Sequence, residues 1–378
     1  MSTRASKIAR VGRLGFTLTE LLVVIAVLVA VVLVGLPAFS SMLSGSERTL
    51  AINQLKIGLS AARDAAIRGD NVDSAAVFFF EPNGRVRVVP CVFVGRITDR
   101  RNPAQAFGPN NSVERDVFAP VGTVEATTLP RGWSVRGYAA PNLLHQAGNQ
   151  LSTIPPNGWY EPVANGTAQR DVDRDSGSWV FPETGFVADG TRGNLLNSGG
   201  TRQTFMVRFE GGTGEVKSKD QGPVLVLDHR PVGDGVRVPR TAANLWQRPD
   251  LATNQAVWAR RLIARGLAPQ QVQDFLGDRS ADTVLAASTD LLALYDEARM
   301  AASIGARGVN RDTGTIYAPG IVPGYDTTLF NGLSGLAIQV AIDEWLTGEL
   351  RRNGEFVESD ALIYTFDRFT GALREIKP

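Results

Sequence analysis

From Leu21 to Leu36 the chain carries no polar side chain. Extending the run back to Phe16 gives 21 residues. As a helix at 1.5 Å per residue they span roughly 31 Å, the thickness of a bilayer's hydrocarbon core. The pattern therefore predicts a transmembrane helix over 16–36. Beyond it Leu43, Leu50, Ile52, Leu55, Leu59, Ala62, Ala66 and Ile67 recur at spacings that share one helix face. They predict an amphipathic continuation over 37–69, closed by the turn residues Gly69-Asp70-Asn71. Pro37 removes a backbone donor and predicts a bend.

The period then changes from helical to alternating. Ala75 to Phe80, Arg85 to Val89, Gly132 to Val135, Ser178 to Phe181 and Thr204 to Phe209 read as strands, the first two joined by Glu81-Pro82-Asn83-Gly84. Together they predict a β-rich head over 70–240. Helical signals follow over 241–352: Asp250, Pro269 and Asp282 open helices that Gly266, Gly277 and Gly305 close, and a further helix runs from Ser334 to Arg352. Such an insertion can cover a sheet edge or dock a partner. Residues 353–378 read as a closing hairpin that turns at Thr370-Gly371.

Charge changes the picture at the N-terminus. Arg4, Lys7, Arg10 and Arg13 precede the apolar run with no acidic residue among them. Positive charge stays cytoplasmic, which predicts that the remainder lies beyond the membrane. Glu20 stands at the mouth of the apolar run, where a carboxylate is expensive and calls for a partner. A plain signal-anchor has no use for it, and a secretory signal has a shorter apolar region followed by a cleavage site.

The sequence Gly15-Phe16-Thr17-Leu18-Thr19-Glu20, followed by apolar residues and by Pro37, resembles the N-terminus of type IV prepilins and type II secretion pseudopilins. The resemblance implies residues 1–15 as a leader, cut between Gly15 and Phe16 by a prepilin peptidase, with N-methylation of Phe16. It also implies filament assembly through Glu20, which would accept the new amine of a neighbouring subunit. Residues Ala62 to Arg68, Leu129 to Trp133 and Val180 to Gly185 resemble the GspH/FimT minor-pilin head. The implied fold class is α+β: a long N-terminal transmembrane α-helix packed on an antiparallel β-sheet head, with a helical insertion. The implied partners are the peptidase, other pilin or pseudopilin subunits, an inner-membrane assembly platform and membrane lipid.

The remaining chemistry is sparse. Without the four basic residues of 1–15 the chain holds 35 basic against 38 acidic residues, which argues against a strongly basic nucleic-acid binder. Arg85, Arg87, Arg96, Arg100 and Arg101 cluster in sequence, and some FimT-like pilins bind DNA, so DNA capture is a second reading. Cys91 is alone, which excludes an intrachain disulfide, and neither His145 nor His229 can be placed beside it from sequence. Asp171, Asp173 and Asp175 alternate like the first half of a calcium loop, with Asn165 and Asp189 as further oxygens. The glycine comes one position late, however, and Pro182 stands where the closing glutamate belongs. Phosphate-loop, catalytic-triad and zinc spacings are absent from the sequence, which predicts a non-enzymatic protein without a required cofactor.

The combined expectation is a single-pass inner-membrane protein with an extracytoplasmic head. It would be a minor pilin or pseudopilin that initiates, caps or adapts a filament. A membrane-tethered receptor or enzyme is the alternative from a different class.

Overall fold

The fold is that of a computed structural model, which describes residues 17–81, 83–99, 113–139, 178–182, 203–217, 224–229, 255–266, 283–318, 325–333, 335–367 and 369–376. Two compact units divide the chain at Leu50/Ala51. In chain order the helices are α1 (Leu18–Arg68), α2 (Gln255–Ala264), α3 (Glu297–Ser303) and α4 (Gly335–Thr347). The longer strands are β1 (Ser74–Phe80), β2 (Val86–Asp99), β3 (Val113–Pro120), β5 (Trp133–Ala139), β7 (Gln203–Phe209), β10 (Thr283–Ser288), β11 (Leu291–Asp296) and β14 (Leu362–Phe366). The shorter ones are β4 (Thr127–Thr128), β6 (Ser178–Val180), β8 (Val216–Lys217), β9 (Val224–Leu227), β12 (Arg351–Arg352), β13 (Glu355–Phe356) and β15 (Leu373–Ile376).

Six strands close into a barrel in the order β1-β2-β3-β9-β10-β7, with β7 returning to pair β1. The pairings β3–β9 and β10–β7 are parallel and the others antiparallel. Alternate side chains of each strand fill the interior: Ala75, Val77 and Phe79 from β1 meet Cys91, Phe118, Met206, Val226, Val284 and Ala286. The intervening residues of β1, Ala76, Phe78 and Phe80, face outward and are buried as well. A strand covered on both faces has no polar side to show, hence the continuous apolar run of β1.

The outer face of β1, β2 and β7 packs against Leu55, Leu59, Ala62 and Ala66 of α1, and against a second sheet. That sheet has the order β15-β14-β11-β5-β6, and Trp345 of α4 is fully buried in the shared core. Gly58 lets the helix come close. A Cβ there would lie 2.5 Å from Thr127 Oγ1 and 2.8 Å from Val88 Cβ. On another part of the wall α2 sets Ala259 and Ile263 against Val94, Val117 and Leu225.

The structure corrects the expected fold class. The head is a closed barrel of mixed pairing joined to a second sheet, in place of a helix lying on one antiparallel sheet. Within the expected helical insertion, Thr283–Ser288 and Leu291–Asp296 are strands, and only Glu297–Ser303 of the helix opened at Asp282 is helical. Tertiary burial explains the misreading: β10 and β11 lie between packed layers, so a short apolar run cannot show the alternation that separates strand from helix.

The membrane reading is corrected too. Among the described residues no helix is long and apolar enough to cross a membrane. The finding overturns the single-pass inner-membrane placement and the transmembrane-pilin architecture built on it.

Candidate functional site

Thr17 and Glu20 form a reciprocal cap at the start of α1. The Thr17 N–H donates to Glu20 Oε2 over 2.9 Å, the Thr17 hydroxyl donates to the same oxygen over 2.8 Å, and the Glu20 N–H returns a 3.3 Å bond to Thr17 Oγ1. This Thr-x-x-Glu arrangement is a capping box, which satisfies helix donors that otherwise lack partners. The Thr17 backbone and hydroxyl donors hold the Glu20 carboxyl below the ordinary carboxylate range. The next turns present exposed apolar residues all round: Leu21, Leu22, Val23, Val24, Ile25, Val27 and Leu28 are each about half exposed or more. A charged carboxylate thus sits beside a helix surface with no polar side. Gly15 and Phe16 lie outside the described residues, and α1 runs through Pro37 without a break in its helical span.

The other sequence candidates separate. Asp171, Asp173, Asp175, His145, Arg100 and Arg101 lie outside the described residues. Among the described residues no group of three or more His, Cys, Asp or Glu is placed to hold a metal ion. Cys91 is fully buried in the barrel, and burial pushes its thiol far up, so it is protonated and inert. Arg85 Nε donates to the Leu129 carbonyl over 3.0 Å, and Arg96 Nε to Asp116 Oδ1 over 2.9 Å. These two arginines already have partners within the protein.

Three polar clusters within the head were not legible from the sequence. In the first, Arg136 of β5 is fully buried. Its Nε donates to the Tyr295 hydroxyl over 2.9 Å, Nη1 to the Trp179 carbonyl over 3.1 Å, and Nη2 to the Tyr317 hydroxyl. Its guanidinium carbon lies 5.5 Å from the centre of the Phe181 ring. Glu297, also fully buried, accepts from the Ile316 N–H over 3.2 Å through Oε1, with the Ser134 and Tyr295 hydroxyls near its carboxyl. Burial pushes its carboxyl up, against the opposing pull of Arg136. Arginine in an alternating strand reads as an outward residue, and in a helix opened at Asp282, Glu297 would be one more polar position of its interior turns.

The second cluster closes one end of the barrel. Arg208 Nη2 lies 2.6 Å from Asp73 Oδ2 and 2.9 Å from Asp116 Oδ2, with its guanidinium carbon 5.0 Å from the Phe118 ring centre. Lys217 joins Asp73 to Glu210 at 3.2 Å from each. At the other end His229 packs on Phe79 at 4.6 Å, with Nε2 3.0 Å from Glu81 Oε1. Glu210 and Lys217 meet across the local β7–β8 hairpin, whereas barrel closure brings Arg208 to Asp73 and Asp116, and His229 to Phe79 and Glu81. None forms a nucleophile–base pair or a converging set of metal ligands. Comparisons with protein-family models, curated proteins and solved structures find no match to this chain.

Proposed function

We propose that this chain is a structural subunit of a type IV pilus or type II secretion pseudopilus, a minor component that initiates, caps or adapts the filament. The observation that carries the reading is the run Arg13-Leu14-Gly15-Phe16-Thr17-Leu18-Thr19-Glu20 leading into an apolar helix. A cut between Gly15 and Phe16 creates a cationic amine four residues before Glu20. The exposed apolar turns after Glu20 need cover, and equivalent helices of sibling subunits supply it. Within such a bundle an amine–carboxylate pair is costly to leave half made, so it sets the register between subunits. Glu20 is held by Thr17 in the single chain, so docking exchanges the local donors of Thr17 for the amine of a neighbour.

The test uses the full chain in cells with an active prepilin peptidase. Mass spectrometry should find the chain beginning at a methylated Phe16. Glu20→Ala should be cut normally and fail to enter filaments, and Glu20→Gln should enter poorly. An uncut leader, or normal incorporation of Glu20→Ala, overturns the reading. DNA capture stays the second reading: Arg85 and Arg96 each have a partner within the fold, but Arg96 remains 61% exposed, and salt-sensitive DNA binding by the full chain is its test.

A further inference from the structure

Asparagine followed by glycine is prone to spontaneous deamidation, because glycine puts no side chain in the way of its own backbone nitrogen. The described residues contain three such pairs: Asn83-Gly84, Asn331-Gly332 and Asn353-Gly354. Two are restrained at both reacting groups. The Gly84 N–H donates to the Glu81 carbonyl over 2.9 Å, while Asn83 Oδ1 accepts from the Arg85 N–H over 3.1 Å. Gly84 also sits against the Thr313 backbone, so its segment has no room to swing. The Gly332 N–H donates to the Phe330 carbonyl over 2.7 Å, while Asn331 Oδ1 accepts from Arg307 Nη2.

The third pair stands apart. Asn353 and Gly354 form the tip of the β12–β13 hairpin, with φ of 54° and 87°. Positive φ at both central residues is the turn that suits a two-residue hairpin. Every residue from Arg351 to Phe356 is exposed. The hairpin pairs Arg351 with Phe356 and Arg352 with Glu355; the Val357 N–H closes its base on the Leu350 carbonyl over 2.8 Å, and Arg351 lies over the Phe356 ring, so the tip is the part without further ties. The ladder belongs to no larger sheet, and a two-stranded ladder adds little stability of its own, so the exposed tip opens more easily than the turns at Gly84 and Gly332. Neither the Asn353 side chain nor the Gly354 N–H is held by a hydrogen bond among the described residues.

We propose that Asn353 is a site of spontaneous, structure-selected deamidation. When the hairpin opens, base removes the Gly354 amide proton and the nitrogen attacks Asn353 Cγ. The new C–N bond closes a five-membered imide, the Cγ–Nδ2 bond breaks, and ammonia leaves. Water then opens the imide at either carbonyl, giving aspartate or isoaspartate. Both products put a negative charge beside Arg351 and Arg352. Isoaspartate also lengthens the backbone by one carbon, which breaks the match between Arg352 and Glu355.

The experiment incubates the full chain at mildly alkaline pH and follows each peptide by mass spectrometry. Isoaspartate is identified from fragment ions. The Asn353 peptide should convert at least about tenfold faster than the Asn83 and Asn331 peptides, the ratio set by ~1.4 kcal/mol of extra opening cost at those sites. Gly354→Ala should slow conversion at 353 alone. Urea sufficient to unfold the chain should bring the three rates together. Equal rates in the folded protein, or no conversion at Asn353, overturn the proposal. The outcome is independent of filament assembly.

Discussion

Replacing Arg208 with methionine tests the cluster that closes the barrel. The arginine side chain is 5% exposed and lies between Asp73 and Asp116, which are 14% and 6% exposed. Methionine keeps the packing on Phe118 and removes the charge. Stripping one partner from a buried ionic cluster costs about 3–5 kcal/mol, because the remaining charges stay in a poor solvent. Here each carboxylate keeps a second cation, Lys217 for Asp73 and Arg96 for Asp116, so the expected loss is near the lower figure, about 3 kcal/mol. Urea unfolding at pH 7 reads it as a lower midpoint at unchanged slope.

The pH dependence carries a second, sharper expectation. Burial opposes the charge of Asp73, but the Gly211 N–H, Arg208 and Lys217 outweigh it and hold the carboxyl below its ordinary value. A depressed carboxyl adds stability above its unfolded pKa of about 3.9, and that stability is lost as pH falls through the folded value. The native chain should therefore weaken in acid. Arg208→Met, already deprived of the pairing, should weaken less, so the two curves converge below about pH 4. A loss under about 1 kcal/mol at pH 7, of the size of an exposed ion pair, would refute the reasoning. So would a gap that stays constant into acid.

Other outcomes follow from packing and burial. Gly58→Val drives a side chain into Thr127 and Val88 and should lower stability by about 1–3 kcal/mol in the same urea assay, whereas Gly45→Ala, with open space around it, should not. Equal stability of Gly58→Val and the parent would mean that α1 can lift off the barrel without cost. Cys91 should resist a thiol reagent in the native protein and react in full in urea; rapid native labelling would contradict its burial.

The sequence alone determined what depends on local chemistry. The apolar run after Glu20 marked the start of a helix from sequence, whereas the Thr17–Glu20 cap at its head is seen only in the structure. The period of Leu55, Leu59, Ala62 and Ala66 marks the buried face of α1, because a helix repeats its faces whatever it packs against. The helix expected from Ser334 to Arg352 ends at Thr347, and the positive φ of Asn353 and Gly354 makes a hairpin turn where the sequence reading placed none.

Only the tertiary structure decided the rest. Barrel closure needs β7 to find β1, some 130 residues away, and β10 to enter between β9 and β7. No local pattern encodes such pairings. The same closure turned Arg208 inward onto Asp73 and Asp116, and burial on both sides of β5 enclosed Arg136 among Tyr295, Tyr317 and Trp179. In each case a residue type that belongs in water was made acceptable inside by partners remote in the chain. Whether a charged side chain is buried depends on those partners, which a reading of neighbours along the sequence cannot supply.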